Sequence, residues 1–583
     1  MADWNNAYEA MKKDLNLDND AIGVFAVNLK FNLDDFQSTA TEALTGGGDD
    51  KKCDLIYIDK ERKLAVVAQC YMALKQKDSA PANKASDLNT AMTWLLSAPL
   101  AKLPDAIRGH ASELREAIAE KDVEHIHVWY VHNCPTSQNV TNELQTVEGT
   151  TKALLNNYKN GADVVIAATE IGFHEIAHLY KQAEQTIIVT DVFELQVKDA
   201  INIEQDEWSS VVTYVPGSWL KGLYEKFGTD LFSANLRGYL GSRESEANIN
   251  NNIKNTAADE SQNFFVYNNG ITAIVLDYDI EKRTRAGRKL KITGLSIVNG
   301  AQTTGSIGSL KGDIPSDLLV AVRFVKAKQN PIIANVVRFN NSQNKLQAAD
   351  FRSTDPIQDR LRTEFLAIPN TEYEGGRRGG ASDAIKRSKF ALPSYTVAQA
   401  LAAFHGDPVT AYDKKSELWT SETRYRKIFT DRTTANHIVF CYSLLEKINS
   451  TKSALVKAGR SDPDKQTESD RKKLSFLSQK GANYLLIHAI SQCLETILGR
   501  PIPNKFDLCF SDNLSPETGT DVWQPIIETM LALSNQLEDA FSRSRISSEN
   551  VELTIPKFVG VIESLKDVYE AKFAKFTSQV SEA

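Results

Sequence analysis

Short hydrophobic runs separated by polar segments predict alternating strands and helices over the first third of the chain. The apolar runs 55–58 and 64–70 flank the charged segment 59–62, a pattern typical of a β-hairpin. Two further strands are predicted at 125–131 and 164–168. Three helices are predicted at 3–15, 88–119 and 173–183. Because helices and strands alternate, we expect a mixed sheet with helices packed against it.

The pattern changes twice further along the chain. The middle of the chain is rich in Asn and Gln at the ends of strand-like runs, which lie at 263–275, 290–298 and 318–325. The last third has mainly helical spacing, apart from the charged segment 459–473, which we expect to be a surface loop. The sequence therefore predicts a multidomain α/β (α+β) protein with regions at 1–205, 206–394 and 395–583.

Composition and charge exclude several classes of protein. The formal net charge is -8, so a nucleic-acid partner has to be bound by local Lys and Arg patches and not by an overall basic field. No apolar run approaches the roughly 18 residues of a transmembrane helix, so we expect no membrane association. The six cysteines form no CxxC pair, which disfavours a zinc ribbon or a disulfide framework. This cysteine usage fits a cytoplasmic protein.

The segment 46–71, GGGDDKKCDLIYIDKERKLAVVAQCY, has the layout of a nuclease metal site on a hairpin. Such sites place an Asp at the start of one strand. The next strand carries an acidic residue or Gln and, two positions later on the same face, a Lys. Asp54 fits the first position and Gln69 the second, so both are candidate catalytic residues and candidate ligands for Mg²⁺ or Mn²⁺. Tyr71 stands in the lysine position and cannot supply its charge.

Other lysines are candidates to replace the missing cation. Lys75 has the strand parity of Tyr71 but would lie about 13 Å further along an extended strand. Lys51 and Lys52 are close to Asp54 in sequence and geometrically easier. A plain structural interpretation is also open, namely a buried hairpin with an Asp at its turn.

Six segments of the chain carry a family resemblance. They are GGGDDKKCDLIYID with VVAQCY, LNTAMTWL at 88–95, ANLRGYLGSR at 234–243, FFVYNNGIT at 264–272, IVNGAQTT at 297–304 and NNSQNKLQAADFRSTDPIQ at 340–358. Together they resemble motifs of the AIPR family, the abortive-infection phage-resistance proteins. The resemblance implies an N-terminal restriction-endonuclease-like domain, a central AIPR core and a role in defence against phage. The family pattern has Gln-x-Lys where this chain has Gln69-Cys70-Tyr71, which leaves nuclease activity open.

Amide side chains and arginines are concentrated in the central region. The amide candidates for binding nucleic acid or a nucleotide are Asn268, Asn269, Asn299, Gln302, Asn341, Gln343 and Asn344. Amides read base edges, but they also tie loops together inside folded domains. The arginine candidates are Arg237, Arg243, Arg352, Arg377 and Arg378. Guanidinium groups match phosphate oxygens, and solvation of the surface is the alternative role.

His174, Glu175 and His178 form a literal HExxH string, the pattern of zinc proteases. The string falls where the family resemblance expects a plain helix, and no third His follows at metzincin spacing. We therefore do not expect zinc at His174 and His178, and a metalloprotease is kept as a third hypothesis.

The sequence favours two functions. The first is a Mg²⁺-dependent phosphodiesterase that acts on DNA or RNA, with Asp54, Gln69 and either Lys75 or Lys52 as catalytic residues. The second is a non-catalytic sensor that binds nucleic acid or a nucleotide on a degraded nuclease fold. We expect the helical C-terminal region to serve packing or oligomerisation, for example in a homodimer.

Overall fold

A computed structural model shows three successive regions: a four-stranded sheet, a seven-stranded sheet and a helical region. The residues it describes are 3–33, 35–46, 50–75, 77–184, 187–235, 253–327, 332–333, 336, 349, 352, 355–373, 375, 390–461 and 466–582. Mixed sheets and a helical C-terminal region confirm the predicted α+β class.

The N-terminal region alternates helices with strands. Its elements are α1 (Asp3–Asp14), α2 (Ala21–Phe31), α3 (Phe36–Ala43), β1 (Leu55–Asp59), β2 (Leu64–Tyr71), α4 (Ala82–Ser97), α5 (Asp105–Glu120), β3 (His125–His132), α6 (Gln138–Leu155), β4 (Val165–Ile171) and α7 (Phe173–Glu184). The strand order is β1-β2-β3-β4. β1 and β2 form the predicted antiparallel hairpin, whereas β3 and β4 are added in parallel. Parallel neighbours need crossover connections, which α4 with α5 and then α6 supply.

Both faces of this sheet are covered, which explains the nearly continuous apolar sequence of β2. On one face Trp129 shares a core with Trp4 and Phe25, and on the other Val128 shares a core with Leu88. Helix α2 is buried along almost its whole surface. A run that is apolar all round has no helical period, so the hydrophobic pattern does not predict it.

The second region is built on a larger mixed sheet. Its elements are β5 (Val189–Val197), β6 (Ile201–Glu204), β7 (Trp208–Pro216), α8 (Gly217–Phe227), α9 (Phe264–Tyr267), β8 (Ile271–Ile274), β9 (Asp277–Ile280), β10 (Arg288–Asn299), α10 (Ala301–Gly308) and β11 (Leu319–Ala327). The order is β5-β10-β8-β11-β7-β6, with β9 also beside β10. Because β5 and β6 pair with β10 and β7, this sheet begins at Val189, ahead of the predicted division after residue 205.

Two predictions of local structure are wrong in part. The stretch 263–275 is not one strand, because Phe264–Tyr267 forms a helical turn and Asn268 closes a tight turn by accepting a hydrogen bond from the Gly270 N–H. The segment 459–473 is not simply a loop. The helix Ala435–Ser461 extends into this segment, and a second helix begins at Glu468, where the Thr467 side chain caps it.

The C-terminal region is mainly helical. Its elements are α11 (Pro356–Phe365), β12 (Glu372–Tyr373), β13 (Ala391–Leu392), α12 (Ser394–Phe404), α13 (Pro408–Asp413), α14 (Glu417–Thr420), α15 (Glu422–Ile428), α16 (Ala435–Ser461), α17 (Glu468–Leu477), α18 (Ala482–Leu498), β14 (Leu508–Phe510), α19 (Pro516–Ala532), β15 (Phe541–Ser542), β16 (Arg545–Ile546), α20 (Ser548–Ser564), α21 (Glu570–Thr577) and β17 (Val580–Glu582). Its core includes Trp419, Phe440 and Trp523. Within the described ranges, every helix is too short or too polar to pass through a bilayer.

The helical region packs directly against the N-terminal region. The Thr396 hydroxyl donates a 2.6 Å hydrogen bond to Asp35 at the start of α3. Lys60, in the turn of the β1–β2 hairpin, forms a 2.6 Å ion pair with Asp413. Gly46 lies so close to α16 that a Cβ atom there would approach Val456 to 2.5 Å. The candidate metal hairpin is therefore supported by residues from the far end of the chain.

Candidate functional site

Asp54 and Gln69 lie side by side at the end of the β1–β2 hairpin. Asp54 immediately precedes β1, and its N–H donates a 2.9 Å hydrogen bond to the Ala68 carbonyl of β2. The Gln69 amide donates to the Asp54 Oδ2 atom, and the Cys70 main-chain N–H donates to the same oxygen at 2.6 Å. Both side chains are buried, with 8% and 5% of their surface exposed, respectively. The structure thus brings the two sequence-predicted ligands into direct contact.

The charges around Asp54 and Gln69 favour the binding of a cation. Burial and the neighbouring Asp20 carboxylate raise the pKa of Asp54 to about 7, against the opposing effects of the Cys70 N–H and of Lys84. Among the described residues, the buried Gln69 Oε1 atom has no hydrogen-bond partner. A buried carboxylate with a raised pKa, next to an amide oxygen without a described hydrogen-bond partner, offers two oxygen donors of the kind that a hard divalent cation prefers.

Asp20 is a functional candidate that the sequence reasoning missed. It precedes α2, in the helical layer on one side of the sheet, and its charge acts on Asp54. The described part of the chain contains no cluster of three or more His, Cys, Asp and Glu side chains arranged as a metal site. The candidate donor set is therefore the Asp54 carboxylate and the Gln69 amide with nearby main-chain carbonyls, and the Asp20 charge acts on Asp54.

A row of polar side chains crosses the sheet from this pair. Gln69 on β2 is in register with Tyr130 on β3, which is in register with Glu170 on β4. Tyr71 and His132 form the next register pair. Side chains two apart on a strand share a face, so all five point toward the layer of α4, α5 and α6.

Two ammonium groups surround Tyr71, the residue that stands in the lysine position. The Lys77 Nζ atom donates a 2.6 Å hydrogen bond to the Tyr71 hydroxyl and lies 5.2 Å from its ring centroid. The Lys84 Nζ atom, from the first turn of α4, lies 5.8 Å from the same centroid. Lys84 also lowers the pKa of Asp54, so its charge is felt at the candidate ligand. Two lysines that lie outside β2 therefore supply the positive charge beside Tyr71.

The lysines proposed from the sequence lie elsewhere. Lys75 is an exposed residue of the segment after β2. The Lys52 ammonium lies 3.7 Å from Asp87 on α4, and the Lys51 ammonium lies 5.0 Å from the Trp94 ring centroid on the same helix. Strand parity and sequence proximity do not identify Lys77 and Lys84, because a loop and a crossover helix bring these two to the hairpin.

His132 and Glu170 hold the strand ends beside the candidate site. Their side chains are almost fully buried and joined by a 3.0 Å contact between the His132 Nε2 and Glu170 Oε1 atoms. The His132 Nδ1 atom accepts from the Cys134 N–H, and Glu170 accepts from the Ser137 N–H at the start of α6. Because both imidazole nitrogens are engaged, the pair positions the loop from β3 to α6.

The structure also brings together four of the seven amide candidates. The start of β8 and the end of β10 are antiparallel neighbours, so the turns at 268–270 and 299–300 meet at one end of the second sheet. Asn268 exchanges 3.2 Å hydrogen bonds with the Thr303 hydroxyl in the first turn of α10, and Gln302 is the residue before Thr303. Asn269 and Asn299 are exposed beside them. We call Asn268, Asn269, Asn299 and Gln302 the amide cluster.

The remaining binding candidates divide into two groups. Arg352 is engaged in packing, since it pairs with Glu422 at 2.7 Å and lies over the Tyr425 ring at 4.4 Å. The others fall outside the described residues: Arg237, Arg243, Asn341, Gln343, Asn344, Arg377 and Arg378.

The HExxH string lies on α7, as the pattern predicts. The His178 ring contacts Asp230 at 3.3 Å through Nδ1 and Gln182 at 2.7 Å through Nε2. His174 packs edge-on against Phe173. His178 is thereby tied to the start of the second region.

These features define a multidomain α+β protein with a carboxylate–amide pair at the edge of its first sheet. The AIPR protein family model matches residues 232–549, more than half of the sequence, and the chain belongs to that family. Membership implies a role in phage resistance by abortive infection. The match includes the amide cluster and most of the helical region, whereas Asp54 and Gln69 precede it. No match was found among curated proteins or among solved structures.

Proposed function

We propose that this AIPR protein acts in phage defence as a metal-dependent nucleic-acid phosphodiesterase, with its site at Asp54 and Gln69. The observation that carries the proposal is the contact between these two buried side chains, with the Gln69 Oε1 atom unsatisfied. A fold does not establish an activity, so the argument rests on the donor atoms and charges at the site.

The N-terminal region is proposed to be a restriction-endonuclease-like domain. In support, its mixed sheet is covered by helices on both faces and carries an acidic hairpin at one edge. An isolated antiparallel bridge between Leu44 and Leu55 continues the sheet beyond β1. The hairpin and the two parallel strands supply the platform on which such nucleases place their ligands.

Asp54 and Gln69, with a main-chain carbonyl near Cys70, would hold Mg²⁺ or Mn²⁺. The bound ion would activate a water molecule and stabilise charge on the phosphorus. Without it, Asp54 and Asp20 repel each other, which is one source of the raised pKa of Asp54.

Lys84 is proposed to take the role of the missing lysine. Its ammonium lies near both Asp54 and Tyr71, and it would stabilise negative charge on the phosphate. The Tyr71 hydroxyl accepts a hydrogen bond from Lys77 and so keeps its own proton available for a phosphate oxygen. Lys77 and Tyr71 would bind and orient the backbone beside the scissile bond.

A cleavage assay tests the proposal. The purified protein is incubated with plasmid DNA and with RNA, in Mg²⁺ or Mn²⁺ and in EDTA, beside the variants Asp54→Ala and Asp54→Asn. We expect metal-dependent cleavage by the wild type alone. The exposed Asp78 supplies the matched control, and Asp78→Asn should cleave like the wild type. Equal cleavage by Asp54→Asn would contradict the assignment.

The second candidate function is a non-catalytic sensor of nucleic acid or a nucleotide. It is supported by Tyr71 in the lysine position and by the exposed amides Asn269 and Asn299 of the amide cluster. The same experiment separates the two functions. No cleavage of any substrate, together with tight binding that Asn269→Ala and Asn299→Ala weaken, would favour the sensor.

A further inference from the structure

A cavity of about 160 Å³ lies between the N-terminal and helical regions, and neither Asp54 nor Gln69 lines it. One wall is formed by residues 44–46 and the first turns of α5, and the other by α16 and α17. Charged and hydroxyl side chains alternate with apolar ones around it. Such a lining suits a small polar ligand better than an apolar one.

Positive charge dominates this cavity. Lys452 lines it and makes no hydrogen bond or ion pair with any other described residue, although its side chain is half-buried. Burial and the nearby Lys480 lower the pKa of Lys452 to about 8, with Glu42 opposing them. Arg471 adds a second cationic side chain to the lining.

The charge of Asp105, the acidic residue that lines the cavity, is already compensated. Asp105 forms a 2.6 Å ion pair with Arg108 and accepts a 2.6 Å hydrogen bond from the Ser475 hydroxyl. Its charge is therefore compensated outside the cavity, whereas the charge of Lys452 is not. An anion in the cavity would supply the missing partner.

His110 adds a hydrogen-bond acceptor to the same wall. Its Nε2 atom lies 2.8 Å from the Glu42 carbonyl, which can only accept, so Nε2 carries the proton. Burial, with the charges of Lys480 and Lys452, holds the pKa of His110 well below its usual value against the opposing effects of the Glu42 and Ala106 carbonyls, so the ring is neutral and Nδ1 is an acceptor. That buried Nδ1 atom has no partner among the described residues. A ligand that satisfies it must carry a proton.

We propose that this cavity binds a protonated phosphate group, either free hydrogen phosphate or the singly protonated phosphate of a mononucleotide. The singly protonated form of a nucleotide phosphate predominates below its second pKa of about 6. Its anionic oxygens match Lys452 and Arg471, and its P–O–H group matches the His110 Nδ1 atom. Since a cavity of about 150 Å³ holds a molecule the size of benzene, a phosphate fits inside, whereas a nucleoside would extend beyond it. Sulfate has the same shape and size but no proton at neutral pH, so the cavity should discriminate against it.

The cavity wall is hydrogen-bonded to Cys53 and Asp54, the two residues before β1. The Thr45 N–H donates a 3.2 Å hydrogen bond to the Asp54 carbonyl, and the Thr45 hydroxyl donates a 2.5 Å hydrogen bond to the Cys53 carbonyl. A ligand that draws α16 and residues 44–46 together would act on this segment. Binding itself does not depend on the proposed nuclease activity, because no residue of the cavity belongs to the metal pair.

Calorimetry with the full chain in EDTA tests the proposal, using inorganic phosphate, adenosine monophosphate, sulfate and adenosine as the probes. We expect saturable binding of phosphate, of the nucleotide or of both, and weaker binding of sulfate and adenosine. Loss of a charged hydrogen bond in Lys452→Gln should weaken binding about tenfold or more. Ala106→Leu, which fills the cavity, should also weaken it. Lys472→Gln on the exposed face of α17 removes the same charge and should bind like the wild type.

Several outcomes would overturn the proposal. They are no saturable binding up to about 10 mM phosphate or nucleotide, equal binding by Lys452→Gln and Ala106→Leu, and equal affinity for sulfate or for adenosine. Circular dichroism checks that each variant is folded. Repeating the titration with Asp54→Asn separates this site from the nuclease proposal, because phosphate binding should survive even if no cleavage is ever seen.

Discussion

The Lys77 ammonium donates a 2.6 Å hydrogen bond to the Tyr71 hydroxyl, at the strand position where a nuclease hairpin carries its lysine. The Lys84 ammonium, from α4, lies 5.8 Å from the centroid of the same ring. These two ammonium groups keep the charge beside Tyr71 positive although the strand itself has no lysine at this position. The absence of the usual lysine therefore does not make the site electrostatically inactive.

The first prediction compares the effects of Lys84 and Lys75 on the cleavage rate. If Lys84 stabilises the transition state, Lys84→Gln should lower the cleavage rate by about 10²–10⁴-fold, the range expected for such a group. The rate is measured under single-turnover conditions with plasmid DNA or RNA. Lys75→Gln, at the position that strand parity favours, should change it less than about twofold because a lone exposed charge contributes little. The reverse order of effects would restore the sequence-based assignment.

The second prediction concerns Asp20. Removing its charge in Asp20→Asn should weaken Mn²⁺ binding by about tenfold, in line with residues that tune a metal site. The same change should raise the unfolding midpoint in EDTA, because the repulsion between Asp20 and Asp54 is lost. Calorimetric titration with Mn²⁺ and thermal unfolding check the two halves. A variant with lower stability in EDTA and unchanged metal affinity would show that Asp20 acts only on helix α2.

The third prediction tests the close approach of Gly270, in one turn of the amide cluster, to the neighbouring strand β11. Gly270 has a φ of +73°, and a Cβ atom there would lie 2.4 Å from the Ala321 carbonyl oxygen. Gly270→Ala should therefore destabilise the protein by at least about 2 kcal/mol. Gly222→Ala in the middle of α8, where a Cβ meets nothing within 4 Å, should instead stabilise it by about 0.5–1 kcal/mol. Denaturant unfolding of both variants measures the contrast.

The fourth prediction is a pH dependence at the interface of the two outer regions. Burial, with the charge of Asp35, raises the pKa of Glu446 on α16 to about 8. The folded state therefore binds a proton that the unfolded state has released, and stability falls as pH rises from about 4.5 to about 8. Glu446→Gln should match the wild type near pH 4 and be more stable above pH 8. Exposed Glu538→Gln should show no such divergence in parallel melts.

Much of the fold can be predicted from the sequence because the spacing of hydrophobic residues in a strand or helix depends on residues that are close together in the chain. The charged segment 59–62 between apolar runs identifies the hairpin, and the hairpin places Asp54 opposite Gln69. The exceptions have physical causes. Helix α2 is buried all round and so shows no period, and the turn at Asn268 converts the beginning of a predicted strand into a helical turn.

The residues of the candidate site can be predicted only where they lie close together in the sequence. Asp54, Gln69 and Tyr71 are found by spacing because one hairpin carries all three. Asp20, Lys77 and Lys84 are brought to it by a helix start, a loop and a crossover helix, and no spacing rule connects these positions to the strand. Tertiary packing, which no periodicity records, decides which lysine takes part.

The packing of the outer regions also has a consequence for biosynthesis. The pairs Asp35–Thr396 and Lys60–Asp413 join residues 361 and 353 positions apart, and Thr41 meets Ser453 across 412 positions. A ribosome makes the chain from its N-terminus, so the hairpin with Asp54 emerges long before α16. The nascent first region lacks its packing partner until α16 has been synthesised. The surroundings of Asp54 are therefore complete only in chains that extend beyond α16.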